Sequence, residues 1–218
     1  MDNKLKVLRT GFIKFFIFAL TAFCCLLIVI GATHFDIART GVISDSSFTE
    51  CLQETLLLLC VCIFVYIAKK YKANGIMLVS GFVASMLIRE WDAVFDKMFF
   101  HGAWKYIAIP IVLGSCYLAF REGKYKVIDD LIFFMQRKAY NIFLLGLTVV
   151  LVISRILGMR MVVTMFAGIH FNEGLKNFNE EGFELFGYLL MFLASCMFLL
   201  EYSKLNSKNF NNKSNIIP

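Results

Sequence analysis

Between Phe15 and Thr33 no charged side chain interrupts the chain, and that run belongs to the first of six apolar segments. The segments are Gly11 to Thr33, Cys51 to Ala68, Gly75 to Phe95, Trp104 to Phe120, Ala139 to Gly158 and Gly182 to Leu200. A chain of 218 residues that is 59% hydrophobic and 17% charged has more apolar surface than a soluble domain of its size can hide, so a bilayer must act as its solvent. In hydrocarbon every backbone polar group has to be satisfied within the structure, which leaves helices or a closed barrel. Proline occurs only at Pro110 and Pro218, and long uninterrupted runs favour helices over short strands. The expected fold is all-α: a polytopic transmembrane helical bundle of about six spans, one domain over residues 1–202, followed by a flexible polar tail over 203–218. In the second, third and fourth segments the continuous apolar stretch falls short of the roughly 20 residues a hydrocarbon core demands, so polar groups at their ends are held at depth.

The net charge of +6 becomes informative once it is sorted by side. With the amino terminus inside, the inner ends and loops collect Lys4, Lys6, Arg9 and Lys14, then Lys69, Lys70 and Lys72. They also collect Arg121, Lys124, Lys126, Arg137 and Lys138, and finally Lys204, Lys208 and Lys213: 15 of the 22 basic residues. The opposite side collects 11 of the 16 carboxylates, among them Asp36, Asp45 and Glu173. This bias predicts both termini in the cytoplasm, and the short loops suit a bacterial inner membrane. The basic start followed by an apolar core has the outline of a signal peptide, but the run is too long and no small-x-small site closes it. The basic excess, sorted in this way, carries no sign of a nucleic-acid module.

Seven cysteines without a CxxC spacing exclude a disulfide framework or a thiol-exchange site. Six of them, Cys24, Cys25, Cys60, Cys62, Cys116 and Cys196, lie in apolar runs where a thiol acts as a small hydrophobe. Between the fourth and fifth segments, Val127, Ile128, Leu131, Ile132 and Met135 recur at helical spacing beside Asp129, Asp130, Arg137 and Lys138, which predicts an amphipathic helix on the inner surface. The stretch from Arg160 to Phe178, with Gly168 and Gly174, reads as a segment capping or dipping into the outer face.

Counting helical rise from the inner anchors puts Glu54, Arg89, Glu90, Arg155 and Glu184 roughly 22–26 Å above the cytoplasmic boundary, in one layer just under the outer interface. Charges at such depth face the bundle interior and pair with one another. Glu50 and Glu180 precede Glu54 and Glu184 by four residues, so each pair shares a helix face and its like charges need compensation, which Arg89 and Arg155 can supply. The strings around them share Phe-x-Glu-x-x-x-Glu at the outer start of an inward-running span, as two copies of one hairpin would. Asp92, Asp96 and His101 complete the candidate site as its rim, and His34 and His170 lie on the same side.

This layer supports two readings. In the plainer one the arginines lock the helices by buried ion pairs, and Trp91, Lys97, Trp104 and Lys105 form an interfacial belt. In the sharper one an acidic pocket opens outward and takes a proton, a cation or a cationic ligand, for transport or sensing. Its oxygen ligands would suit Mg²⁺, Ca²⁺ or Mn²⁺ as a hard divalent cation rather than Zn²⁺. Further function classes are an intramembrane lipid-modifying or hydrolytic enzyme using one buried glutamate, and a non-catalytic subunit that packs into a homo-oligomer or a larger membrane complex. No phosphate-binding glycine loop, haem-ligating histidine pair or serine-hydrolase elbow is present in the sequence.

Overall fold

The computed structural model describes residues 2–40, 47–167 and 173–214. Asp45, Gly168 and His170 lie outside the described residues. Among those that are described, every regular element is helical: α1 (Asp2–Thr40), α2 (Phe48–Tyr71), α3 (Ile76–Glu90), α4 (Asp92–Met98), α5 (Trp104–Phe120), α6 (Lys124–Met135), α7 (Lys138–Thr148), α8 (Ser154–Leu157), α9 (Arg160–Ala167) and α10 (Glu173–Ser214). A single π-helical turn, Val149–Ile153, joins α7 to α8 without a break. Four stretches are long and apolar enough to cross a membrane: Lys6–Arg39, Phe48–Tyr71, Lys138–Leu157 and Lys176–Leu205. The chain is thus an all-helical membrane protein by length and composition of its helices.

Local chemistry fixes where the helices start and stop. Ser47 caps α2 by accepting the Glu50 N–H, Lys69 and Lys70 sit in its last turn against the negative end of the helix dipole, and Lys72 closes it at φ 54°. The expected segment 75–95 is interrupted: α3 ends at Glu90, Trp91 leaves the helical path, and α4 resumes at Asp92. At 15 residues α3 is about 22 Å long, and its neighbour α5, at 17 residues, about 25 Å. The fifth expected segment is Lys138–Leu157 with the π-helical turn inside it. The backbone of α10 runs helical to Ser214, past the point where the sequence turns polar. The amphipathic connector forms as α6, with Val127 and Phe134 buried and Ile128, Ile132 and Met135 exposed.

The bundle is built around α10, which packs against α2 on one side and α7, the π-helical turn and α8 on another. The row then continues from α2 to α3 and from α3 to α5. α1 touches α2 and α10 through its second half, where Cys25, Val29, Ala32, Thr33 and Asp36 are buried; from Lys6 to Leu20 it is exposed throughout. Two crossings are set by glycine. A Cβ on Gly187 would stand 2.4 Å from Val150 Cγ2 and 2.8 Å from the Gly146 carbonyl, so α10 and α7 meet backbone to backbone. A Cβ on Gly81 would collide with the Ser115 side chain, so the glycine lets Ser115 of α5 seat against α3.

The two ends of the bundle differ in chemistry. At one end Phe64, Phe134, Phe143 and Phe198 interlock with Phe133, Tyr202 and Tyr71, with Phe134–Phe198 at 4.7 Å and Tyr71–Tyr202 at 4.6 Å between ring centroids. The basic loops around Lys69–Lys72 and Arg121–Lys138 lie at this end. There Asp130 of α6 accepts the Gly75 N–H at 2.9 Å, tying α6 to the α2–α3 turn. Burial raises the Asp130 carboxyl above its usual value. The other end holds the larger group of carboxylates, Glu90, Glu180, Glu181 and Glu184 among them.

Candidate functional site

Three helices converge on a charged cluster at the acidic end. On α10, Glu180, Glu181, Glu184 and Tyr188 fall at helical spacing toward the neighbouring helices. On α8, Arg155 reaches across with its Nη1 2.5 Å from Glu180 Oε1 and its Nη2 2.9 Å from Glu184 Oε1, one fork bridging two carboxylates a turn apart. Ser154 beside it donates to the Val150 carbonyl at 2.6 Å and lies 3.4 Å from Glu184. Glu184 is 3% exposed. Lys176 Nζ stands 3.7 Å from Glu180 Oε2. On α3, Arg89 pairs with Glu90 at 3.0 Å, and Glu90 also accepts the buried Tyr188 hydroxyl at 2.7 Å, which draws α3 toward α10.

A π-helical turn and a glycine make this geometry possible. The turn inserts one extra residue per turn just before Ser154, so the two polar residues that follow face α10 while the apolar positions before it stay on the packed face. At Gly158 a Cβ would stand 2.9 Å from Glu180 Oε2, so the absence of a side chain lets that carboxylate settle against the end of α8.

α2 enters the cluster through Gln53, which is 1% exposed and donates to both the Glu181 carbonyl and the Glu181 carboxylate at 3.1 Å. α1 is fastened to α2 by Asp36, which accepts the backbone N–H groups of Phe48 at 2.7 Å and Thr49 at 2.9 Å, and the Thr49 hydroxyl at 2.5 Å. These are donors that the first turn of any helix leaves without an internal partner.

Of the residues singled out from the sequence, Arg89, Glu90, Arg155, Glu180 and Glu184 come together. Glu54 makes no hydrogen bond or ion pair among the described residues, and Glu50 is half-buried in the first turn of α2. The position that α2 turns into the cluster is Gln53, one residue earlier and about 100° around the helix. Asp92, Asp96 and His101 form a separate motif in the α4–α5 connection: Asp96 accepts the Gly102 N–H at 2.8 Å and pairs with His101 Nδ1 at 2.5 Å. Those two contacts hold the Asp96 carboxyl below the usual carboxylate range. His34 on α1 is exposed. Gln53, Glu181, Ser154 and Tyr188 were missed by the sequence reading. Tyr188 sits four residues after Glu184 and Glu181 next to Glu180, so the spacing that singled out Glu180 and Glu184 also reaches them.

The described side chains that meet here are the carboxylates of Glu90, Glu180, Glu181 and Glu184 and the cations of Arg89, Arg155 and Lys176, which leaves one carboxylate in excess. Glu181 is the one met by an amide instead of a cation. Among the described residues no three or more His, Cys, Asp or Glu side chains converge with the geometry to hold a metal ion. Compared with family models, curated proteins and solved structures, the chain matches none.

Proposed function

We propose that this chain is a polytopic protein of the bacterial inner membrane with about six spans and both ends in the cytoplasm, and that its acidic cluster takes up a proton or a small or organic cation from the outer side, for transport or sensing. In this reading the short helices α3 and α5 complete the six spans and the aromatic, basic end faces the cytoplasm, as the distribution of Lys and Arg favours. The observation that carries it is the Glu181 carboxylate, facing Gln53 beside three further carboxylates of which Glu180 and Glu184 share one arginine. A purely structural lock gains most when its charges balance, whereas an excess carboxylate at depth is neutralised by what it binds.

The test is equilibrium titration of the full chain in lipid nanodiscs with protons, Na⁺, Mg²⁺ and choline. Wild-type protein takes up one proton or cation equivalent that the Glu181→Gln, Glu184→Gln double variant lacks. Superimposable titration curves, with both proteins folded, overturn the proposal. A second reading, a non-catalytic subunit of a larger membrane assembly, draws on α1, whose first half packs against no other described element of this chain. Recovery as a stable monomer in mild detergent removes its support.

A further inference from the structure

At the basic end, where α7 begins and the apolar part of α10 finishes, a pocket of about 370 Å³ opens between the two helices. Gln136, Arg137, Lys138, Glu201, Lys204 and Leu205 line it, three cations against one carboxylate. The Arg137 guanidinium lies over the Phe133 ring, its Cζ 3.9 Å from the ring centroid, a cation–π contact that helps hold it in place. Its Nε is buried with no hydrogen-bond partner, and the guanidinium as a whole makes no hydrogen bond or ion pair among the described residues. A donor fork held in place without an acceptor, beside Lys138, has the geometry that a phosphate oxygen pair completes. The pocket coincides with the ends of two stretches long enough to span, which is the depth of a lipid headgroup.

We infer that this pocket binds the phosphate group of an anionic phospholipid headgroup, with Arg137 as the bidentate donor, Lys138 and Lys204 as flanking charges and Glu201 limiting how much negative charge is accepted. The acyl chains would then run along the exposed apolar flanks of α6 and α7, where Ile132, Leu144 and Leu145 are open. Only the placement of these helices in a membrane is assumed; the acidic cluster at the other end has no part in it.

The experiment is native mass spectrometry of the full chain released from nanodiscs of mixed phosphatidylcholine and phosphatidylglycerol. Wild-type protein retains one phosphatidylglycerol in preference to phosphatidylcholine. Arg137→Ala lowers that retention about tenfold, the size of one charge-assisted hydrogen bond. Arg137→Lys lowers it less, because the charge remains and the fork is lost. Lys124→Ala, which removes a charge at the start of α6 outside the pocket's lining, leaves retention unchanged. Thermal unfolding of each variant establishes that it is folded. Equal retention of the two lipids by wild-type protein overturns the inference, as does an equal loss in Lys124→Ala and Arg137→Ala, which would reflect general surface charge. Displacement of the lipid by millimolar inorganic phosphate also overturns it, in favour of a soluble phosphate as the occupant.

Discussion

The two ends of the bundle are held by opposite means. At the basic end rings fill the space between α2, α6, α7 and α10, and Phe198 alone meets Phe64, Phe133, Phe134 and Tyr202 within 6.4 Å. At the acidic end α2, α3, α8 and α10 are joined by a few directional contacts, each with a defined donor and acceptor, and among the described residues there is one carboxylate more than there are cations. Dispersion between rings rewards close packing whatever the exact register, whereas an arginine fork tolerates little displacement. The aromatic end therefore supplies cohesion, and the charged end supplies alignment at small net gain.

Truncating the ring at the centre of the aromatic end gives the largest expected effect. Phe198→Ala removes a fully buried side chain and costs about 3 kcal/mol in equilibrium unfolding from mild detergent, while cation uptake persists in the folded fraction. If it costs no more than a substitution at the charged end, the division of labour is wrong. Next comes Gly187→Val, which belongs to both ends because the α7–α10 crossing lies between them. Forcing apart backbones that now touch costs about 2 kcal/mol, and the separated helices lose the Arg155 bridge to Glu184.

Smaller and more diagnostic is a pair of opposite sign. Arg155→Gln takes the salt-bridge partner from Glu184, leaves Glu180 with Lys176 alone, and lowers stability by about 1 kcal/mol, a modest figure because the guanidinium is 45% exposed. Glu181→Gln removes the excess charge, keeps a partner for Gln53, and leaves the unfolding midpoint unchanged or raised. A fall in the midpoint for Glu181→Gln would mean that the Glu181 charge is itself compensated in the folded protein.

The smallest effects are pH-dependent and lie in the connections. Burial raises the folded-state value of Asp130, so its contribution is fully present below about pH 4 and is lost as pH rises through the folded value. Asp130→Asn removes that loss and keeps an acceptor for the Gly75 N–H, whereas Asp130→Ala leaves the N–H without one and costs about 1 kcal/mol. Asp96 has the opposite sign, since His101 and the Gly102 N–H depress it. Its contribution is present above about pH 4 and is lost as acid takes the pH through the lower folded value. Amide exchange at Gly102 should accelerate below that point in wild-type protein and be insensitive to pH, beyond the intrinsic rate, in Asp96→Asn.

These contrasts also mark how far the sequence could be read. Hydropathy located all the long helices, and the expected segment Trp104 to Phe120 coincides with α5, because burial in lipid imposes long apolar runs that composition cannot conceal. Counting rise placed Arg155 and Glu184 at one level with Glu180 a turn further out, and Arg155 does bridge the two glutamates. Height along a helix is one coordinate, however, and direction around it is another. On α2 the whole circumference is apolar apart from a few residues, so no stripe told whether Gln53 or Glu54 faces Glu181; charge singled out Glu54, and Gln53 makes the contact. The break at Trp91 was equally hidden, since Trp91, Ala93 and Val94 continue the hydropathy of the span while the backbone leaves it. Nothing in Val149–Ile153, an ordinary run of branched and aliphatic residues, signals a π-helical turn.

That widened turn sets the register of the charged end. A π-helical turn is what an α-helix becomes when one residue is inserted and the flanking packing refuses to rotate. The α7 face before it, with Phe143 and Gly146 against α10, keeps the register an uninterrupted helix would have, while everything from Ser154 onward is displaced by a single position. Excising one residue between Val149 and Ile153 should therefore restore a straight helix of similar cohesion and swing Arg155 away from both of its glutamates.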